Sequence, residues 1–394
     1  MVKTRNNTRK RKKNFIVSDN FIEYEDSDPE SESESDSDSE EFIPDIQINI
    51  KENENVPLIV KNWIKYQMDN NSHDDKMKYK VHFVLSYPWR ELKNIPISLE
   101  STVTEKNEFW NNTFNIINEN VSFMDETVSE LINMVTRTIV NPSGKRKPIL
   151  ITGKPGVGKT RLLTKVFGPV LGVPVEYINV SGYTREDLTS LKGSSGVWQG
   201  SGASSIIQAI HKAKCKNIII VFDEFDKIFD IQIYHFFNQL FDDSSTFFMD
   251  QFIEGLPFDI SQITFVCLTN SNEMIPEPLM SRFKKKIYIE SPDNEKKISI
   301  CQKHSIPEIL SVFKLNAGTN RIEFPDETLR YLINMTNIKN DSGMRELVNI
   351  VESIVEKINT VRVLGQNGIN SVCVFETIKF PLVITKEIID RLVC

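Results

Sequence analysis

Between Lys147 and Ser291, short apolar runs alternate with stretches whose apolar residues recur every three to four positions. Short apolar runs bounded by polar punctuation read as buried strands, and their alternation with helical stretches predicts an α/β fold with a parallel sheet covered by helices. The strands predicted in this way are 148–153, 175–180, 217–223, 263–268 and 286–290. After Ser291 the strand signal fades, and amphipathic helices are expected at about 293–304, 325–337 and 341–362, which together suggest a C-terminal helical lid. Upstream, the stretch from Met77 to Trp89 fits two patterns. Met77, Val81, Val84 and Leu85 share one helix face, whereas Tyr79, Val81, Phe83, Leu85 and Tyr87 alternate as in a strand. Either element stops at Tyr87-Pro88-Trp89, because proline lacks a backbone donor and restricts the residue before it. A looser segment is expected from there to about residue 120.

The first 55 residues carry a different pattern. A basic cluster (Lys3, Arg5, Arg9, Lys10, Arg11, Lys12, Lys13) leads into a serine and acid alternation, Ser27 to Glu41, with almost nothing to bury, so a disordered tail is expected. Such a run reads as a nuclear-import address, as a polyanion contact, or as a solvated arm that neutralises the acidic stretch beside it. Acid-flanked serines there are also candidates for phosphorylation. The 394-residue chain has a net charge of -7, but residues 1–50 hold 7 Lys/Arg and 13 Asp/Glu, leaving 40 and 41 in the rest. A nearly neutral body argues against a general basic surface for nucleic acid.

Five cysteines (Cys215, Cys267, Cys301, Cys373, Cys394) form no CxxC pair, so neither a zinc ribbon nor a disulfide framework is expected. No apolar stretch of signal-peptide type opens the chain and no run of 18 apolar residues occurs in it. The expectation is a soluble intracellular protein of cytoplasm or nucleus, with no membrane contact.

Gly153-Lys154-Pro155-Gly156-Val157-Gly158-Lys159-Thr160 has the P-loop spacing, directly after one predicted strand and directly before a helix expected over 161–167. Glycines there let successive N–H groups turn toward phosphate oxygens, and the helix N-terminus adds partial positive charge. Lys159 is expected to bridge β- and γ-phosphates, and Thr160 to offer Mg²⁺ a hydroxyl oxygen. A second apolar strand ends in Asp223-Glu224. Carboxylates at the carboxyl end of a parallel strand emerge where ligands bind, so Asp223 suits the Mg²⁺ shell and Glu224 suits polarising a water. Asn270 ends a further strand and could hold a water near the γ-phosphate. Arg282, next to a lysine run, reads by itself as a solvated charge.

These segments together resemble one family, the Lon proteases among the AAA+ ATPases, from about Met77 to the C-terminus. Asp223-Glu224-Phe225-Asp226-Lys227 resembles the family's Walker B segment, and Phe265 to Ser271 its sensor-1 strand, which implies Asn270 as sensor 1. Ile275 to Arg282 is similar to the segment ending in the arginine finger, and Gly343-Met344-Arg345-Glu346-Leu347 to the sensor-2 motif, which implies that Arg345 reads the nucleotide phosphates. The stretch ending Tyr87-Pro88-Trp89 resembles the helical segment before the ATPase, which turns the open alternative above toward helix. Gly193 to Gln208 is similar to the substrate-gripping pore loop, with Trp198-Gln199-Gly200 at the aromatic, aliphatic and glycine positions.

The resemblance implies an AAA+ P-loop fold with a five-stranded parallel sheet and helical lid, ATP hydrolysis with Mg²⁺, a homo-oligomeric ring of hexameric type, and a protein substrate. Three departures qualify it. The interval after Asp226-Lys227 is short, which weakens the case for a second pore loop, and Gln199 stands where the family has an aliphatic residue. The chain also reaches Cys394 where the protease domain would start, so the expectation is a motor without its own peptidase, serving a separate one or releasing its product. A nucleic-acid-directed loader or switch is the alternative. The expected division is a tail over 1–55, a helical and linker segment over 56–120, an α/β nucleotide-binding domain over 121–291 and the lid over 292–394.

Overall fold

The computed structural model describes residues 54–71, 75–121, 124–195, 201–316, 320–338, 343–364 and 379–393. Residues 1–53 of the expected tail, and the Trp198-Gln199-Gly200 triplet, lie outside them.

Two helices come first, α1 (Leu58–Asn71) and α2 (Asp75–Ser86). The second resolves the Met77 to Trp89 stretch as helix, with Val81, Phe83 and Val84 buried, and it stops before Tyr87-Pro88. Tyr87 and Trp89 then turn inward onto Phe258, the Trp89 ring stacking on it at 5.2 Å. The Trp89 indole N–H donates to the Val84 carbonyl at 2.8 Å, satisfying one acceptor that the helix end leaves open.

The looser segment expected up to residue 120 is largely helix instead, α3 (Val103–Asn120). Thr102 and Glu105 form a reciprocal capping box at its start, with the Thr102 N–H donating to the Glu105 carboxylate at 2.7 Å. Its buried residues, Phe109, Thr113 and Ile117, lie four apart. A stripe that narrow does not stand out from polar neighbours, which is why periodicity missed it. Helix α4 (Asp125–Val140) follows.

The α/β portion runs β1 (Ile149–Gly153), α5 (Lys159–Leu162), a π turn over Leu163–Phe167, α6 (Gly168–Leu171) and β2 (Val175–Asn179). It continues with α7 (Leu188–Lys192), α8 (Ser205–Ala213), β3 (Ile219–Asp223) and α9 (Ile231–Leu240). A hairpin of β4 (Phe247–Met249) and β5 (Pro257–Asp259) precedes β6 (Thr264–Thr269), α10 (Glu277–Met280) and β7 (Lys285–Ile289). The five expected strands form one parallel sheet in the order β2-β3-β6-β1-β7. The hairpin was not expected, since strands of three residues are too short to show alternation. The inner strands are mostly apolar because helices cover both faces: Ile149, Leu150, Ile151, Ile220, Val221 and Val266 are all buried.

The C-terminal portion is built on its own core, which includes Leu329, Leu332, Leu347, Val351, Ile354 and Ile389. Its helical elements are α11 (Asn294–Ile300), a π turn over Cys301–Ser305, α12 (Ile306–Val312), α13 (Asp326–Ile338), α14 (Arg345–Leu364) and α15 (Lys386–Val393), and an unexpected parallel pair of two-residue strands, β8 (Ile322–Glu323) and β9 (Leu382–Val383), joins them. Two helical runs extend past their expected ends at 167 and 304, to Leu171 and Val312. In both, a π turn comes two residues before a proline, Pro169 or Pro307. A proline ring collides with the carbonyl of the preceding turn and has no N–H to give it, and a widened turn relieves both problems. Among the described residues, no helix is long and apolar enough to cross a membrane.

Candidate active site

Because β1, β3 and β6 are parallel neighbours, their carboxyl ends emerge side by side, which brings Gly153, Asp223 and Thr269-Asn270 to one edge of the sheet. The P-loop leaves β1 there. Gly156 and Gly158 take φ of +76° and +98°, a region that side chains with a Cβ rarely enter. At Gly156 a Cβ would also lie 2.9 Å from the Arg345 backbone nitrogen. The first turn of α5 leaves N–H groups without intrahelical partners, and these face the loop's concavity.

Lys159 points back into that concavity. Its ammonium donates to the Gly153 carbonyl, to the Lys154 carbonyl at 3.2 Å and to Asn270 Oδ1 at 2.8 Å. Burial pushes its pKa down, and Asp223 and Asp226 oppose that shift. Asp223 is fixed by the Glu224 N–H, which donates to its Oδ1 at 2.8 Å. Glu224 itself sits at φ 55°, a left-handed backbone that costs a residue with a Cβ on the order of 1 kcal/mol. Its carboxylate accepts from Lys227 Nζ at 2.7 Å. Hydrogen bonds from Lys227 and then Ser181 hold that carboxyl below the usual range, with a smaller contribution from Arg345, so it is ionised at neutral pH.

Asp226, one turn on, accepts the N–H groups of Asn270 and Ser271 through Oδ2 at 3.1 and 3.2 Å. It thereby ties the end of β3 to the end of β6 and fixes the backbone that carries Asn270. Sequence reasoning gave Asp226 no role, although its place in the acidic segment after β3 was visible.

The lid meets the P-loop backbone directly. Met344 N–H donates to the Gly156 carbonyl at 3.1 Å, and a Cβ on Gly343 would stand 2.2 Å from the Pro155 carbonyl oxygen. Arg345, the first residue of α14, reaches the same cavity. Arg161 forms a second tie, donating to both Glu308 carboxylate oxygens at 2.9 and 3.0 Å and to the Asn120 carbonyl at 3.2 Å. The cavity measures about 510 Å³. Pro155 to Thr160, Asp223, Glu224, Asn270 and Arg345 line it together with apolar Val121, Met124, Ile309 and Val348. Those apolar residues were not anticipated, because they come from two helical regions far apart in the chain.

The arrangement suits a nucleoside triphosphate: an amide-rich P-loop for phosphates and apolar side chains in the same cavity against which a base can pack. A hydroxyl on Thr160 and a carboxylate on Asp223 are hard oxygen donors of the kind Mg²⁺ takes alongside phosphate oxygens. Among the described residues no group of three or more His, Cys, Asp or Glu gathers as a metal cage.

Of the expected site residues among those described, Arg282 is not brought to this cavity. Trp198, Gln199 and Gly200 lie outside the described residues, although the base of their loop is defined. Ser194 N–H donates to the Gly202 carbonyl at 3.1 Å and Gly202 N–H to Ser194 Oγ at 3.1 Å. Buried Asp250 accepts from the N–H groups of Ser204 and Phe252 at 2.7 and 2.8 Å. Arg282 stands away from the cavity, against Asn238 and Asp242.

A five-stranded parallel sheet with a P-loop, paired carboxylates on the strand next but one to it and a helical lid are the features of the AAA+ P-loop fold. Residues 149–291 match the family model of the ATPase family associated with various cellular activities (AAA). Over 320 residues the chain is 28% identical to a Lon protease homolog of Acanthamoeba polyphaga mimivirus, an alignment covering 78% of this chain and 30% of that protein. It is 30% identical over 256 residues to the Lon protease of Aquifex aeolicus, covering 63% of this chain and 30% of the relative. With the mitochondrial Lon protease homolog of Homo sapiens it shares 23% identity over 295 residues, or 74% and 29% of the two chains. The chain thus has an AAA match over 149–291 and is similar to part of these Lon proteases. It spans about 30% of the length of these curated relatives.

Proposed function

We propose that this chain binds ATP with Mg²⁺ in the cavity, hydrolyses it, and couples turnover to remodelling or threading a protein substrate within a ring of identical subunits. The convergence of Lys159, Asp223, Glu224, Asn270 and Arg345 on one cavity carries the hydrolytic part of this reading. Lys159 exchanges its carbonyl partners for the β- and γ-phosphate oxygens. Thr160 and Asp223 are the residues to hold Mg²⁺, which when bound offsets negative charge on the phosphates. Glu224 accepts a proton from water as that oxygen bonds to the γ-phosphorus and the bond to the ADP oxygen breaks. Asn270 orients the water, and Arg345 reaches the phosphates from the lid. Arg282 is assigned to the site of the next subunit, since it stands away from its own cavity. The protein substrate is supported by the protease relatives and by the loop whose base Ser194 and Gly202 close, with Trp198, Gln199 and Gly200 proposed to touch the substrate chain.

ATP turnover should be measured over a range of protein concentrations, alone, with unfolded casein, and with DNA. The expected result is a specific activity that rises with concentration and is stimulated by casein. No turnover under any condition would overturn the hydrolytic reading, and stimulation by DNA alone would replace the protein substrate with nucleic acid.

A further inference from the structure

Arg282 sits on a rigid mount. Its own N–H donates to the Leu279 carbonyl at 3.0 Å, and the next residue, Phe283, is buried against Phe225 and Phe241. The side chain is then held on two sides: Nε donates to Asn238 Oδ1 at 2.9 Å, and Nη1, the end nitrogen on the Cδ side, lies 2.7 Å from Asp242 Oδ2. Asp242 is itself immobilised. Its other oxygen accepts from the Ser244 N–H at 2.9 Å and the Ser244 hydroxyl at 2.6 Å. Lys145 Nζ holds the same turn from outside, donating to the carbonyls of Asp242 and Ser245 at 2.6 Å and of Asp243 at 3.0 Å.

A guanidinium is a planar fork with five N–H donors, and two of them engage Asn238 and Asp242. Holding Nε and Nη1 fixes the plane of the guanidinium and with it the place of the other end nitrogen, Nη2. Half-exposed ion pairs contribute little to stability, so stiffening a surface turn is a weak account of this construction. A guanidinium whose plane is fixed in this way can meet a phosphate oxygen without first losing side-chain freedom.

We infer that Asn238 and Asp242 are positioning residues that hold the Arg282 guanidinium in the orientation from which it meets the nucleotide of a neighbouring subunit. This rests on the trans-acting reading of Arg282. The pair touches no substrate and acts only through Arg282.

The test is ATP turnover by Asp242→Ala, Asn238→Ala and Arg282→Ala, alone and mixed with Glu224→Gln, with Asp243→Asn as a control for loss of an adjacent acid that pairs with Lys147 instead. Asp242→Ala is expected to bind ATP within about twofold of the parent while its turnover falls roughly tenfold to a hundredfold, the usual consequence of a misaimed group. Asp242→Asn, which keeps an acceptor oxygen, should recover most of that loss, and Asp243→Asn should match the parent. Asp242→Ala should regain activity when mixed with Glu224→Gln, whose neighbouring half is intact, and gain none when mixed with Arg282→Ala. A structural defect would not sort in this way. Asn238→Ala makes the same test should Asp242→Ala fail to fold. Parent-like turnover in both alanine variants, with Arg282→Ala still complementing Glu224→Gln, overturns the positioning role alone. If Arg282→Ala itself fails to complement, the trans-acting reading fails and the positioning role falls with it.

Discussion

Glu224 combines a left-handed backbone with an ionised carboxylate at the edge of the cavity, the arrangement that a group needing fixed aim and a ready charge would have. Glu224→Gln should keep ATP affinity within about threefold and lose on the order of 10²–10⁴ in turnover, because the amide preserves shape and removes the base. Turnover equal to the parent would reject the assignment. The pH profile separates the carboxylate from its partner. Since Lys227 is the largest influence lowering the Glu224 pKa, Lys227→Met should raise it and move the acid limb of kcat to higher pH. Superimposable acid limbs would show that Lys227 does not tune this group. The residues carrying these roles were largely legible in the sequence, because P-loop spacing and a buried strand ending in two acids are short-range patterns. Asp226 was legible as a residue and silent as to function, since its partners are backbone N–H groups of Asn270 and Ser271 on another strand.

At the scale of elements, the lid and the P-loop meet through a bare backbone contact and an ion pair, and their magnitudes differ. Arg161 and Glu308 are both partly exposed, with Glu308 57% accessible, so their pairing contributes less than about 1 kcal/mol. A Cβ on Gly343 would meet a backbone oxygen at 2.2 Å, a clash that only displacement of the lid or the loop relieves. Gly343→Ala should therefore weaken ATP binding by roughly tenfold or more, an overpacking penalty of about 1–3 kcal/mol, and Glu308→Gln by less than about threefold. Titration with a fluorescent ATP analogue ranks the two, and the reverse order would relocate the lid's hold to the ion pair. The contact explains a limit on sequence reading. The inner sheet strands were found because burial on both faces makes them mostly apolar runs, and the edge strands β2 and β7 because they are short β-rich segments at the expected spacing. α3 was missed although Thr102 and Glu105 signalled its start, since its three buried positions are diluted by polar neighbours. The π turns before Pro169 and Pro307 were missed because proline usually ends a helix.

For the whole molecule, the central claim is that the catalytic unit lies between two copies of the chain. The chain carries Glu224 at its own cavity and Arg282 outside it, against Asn238 and Asp242. On the proposed reading, such a division would make hydrolysis depend on assembly. The most direct measurement is ATP turnover in equimolar mixtures of Glu224→Gln and Arg282→Ala, each nearly inactive alone. Random assembly leaves about a quarter of interfaces with an intact Glu224 facing an intact Arg282, so turnover near that fraction of the parent is predicted. Mixtures as inactive as either variant alone, with both variants assembling like the parent, would contradict it.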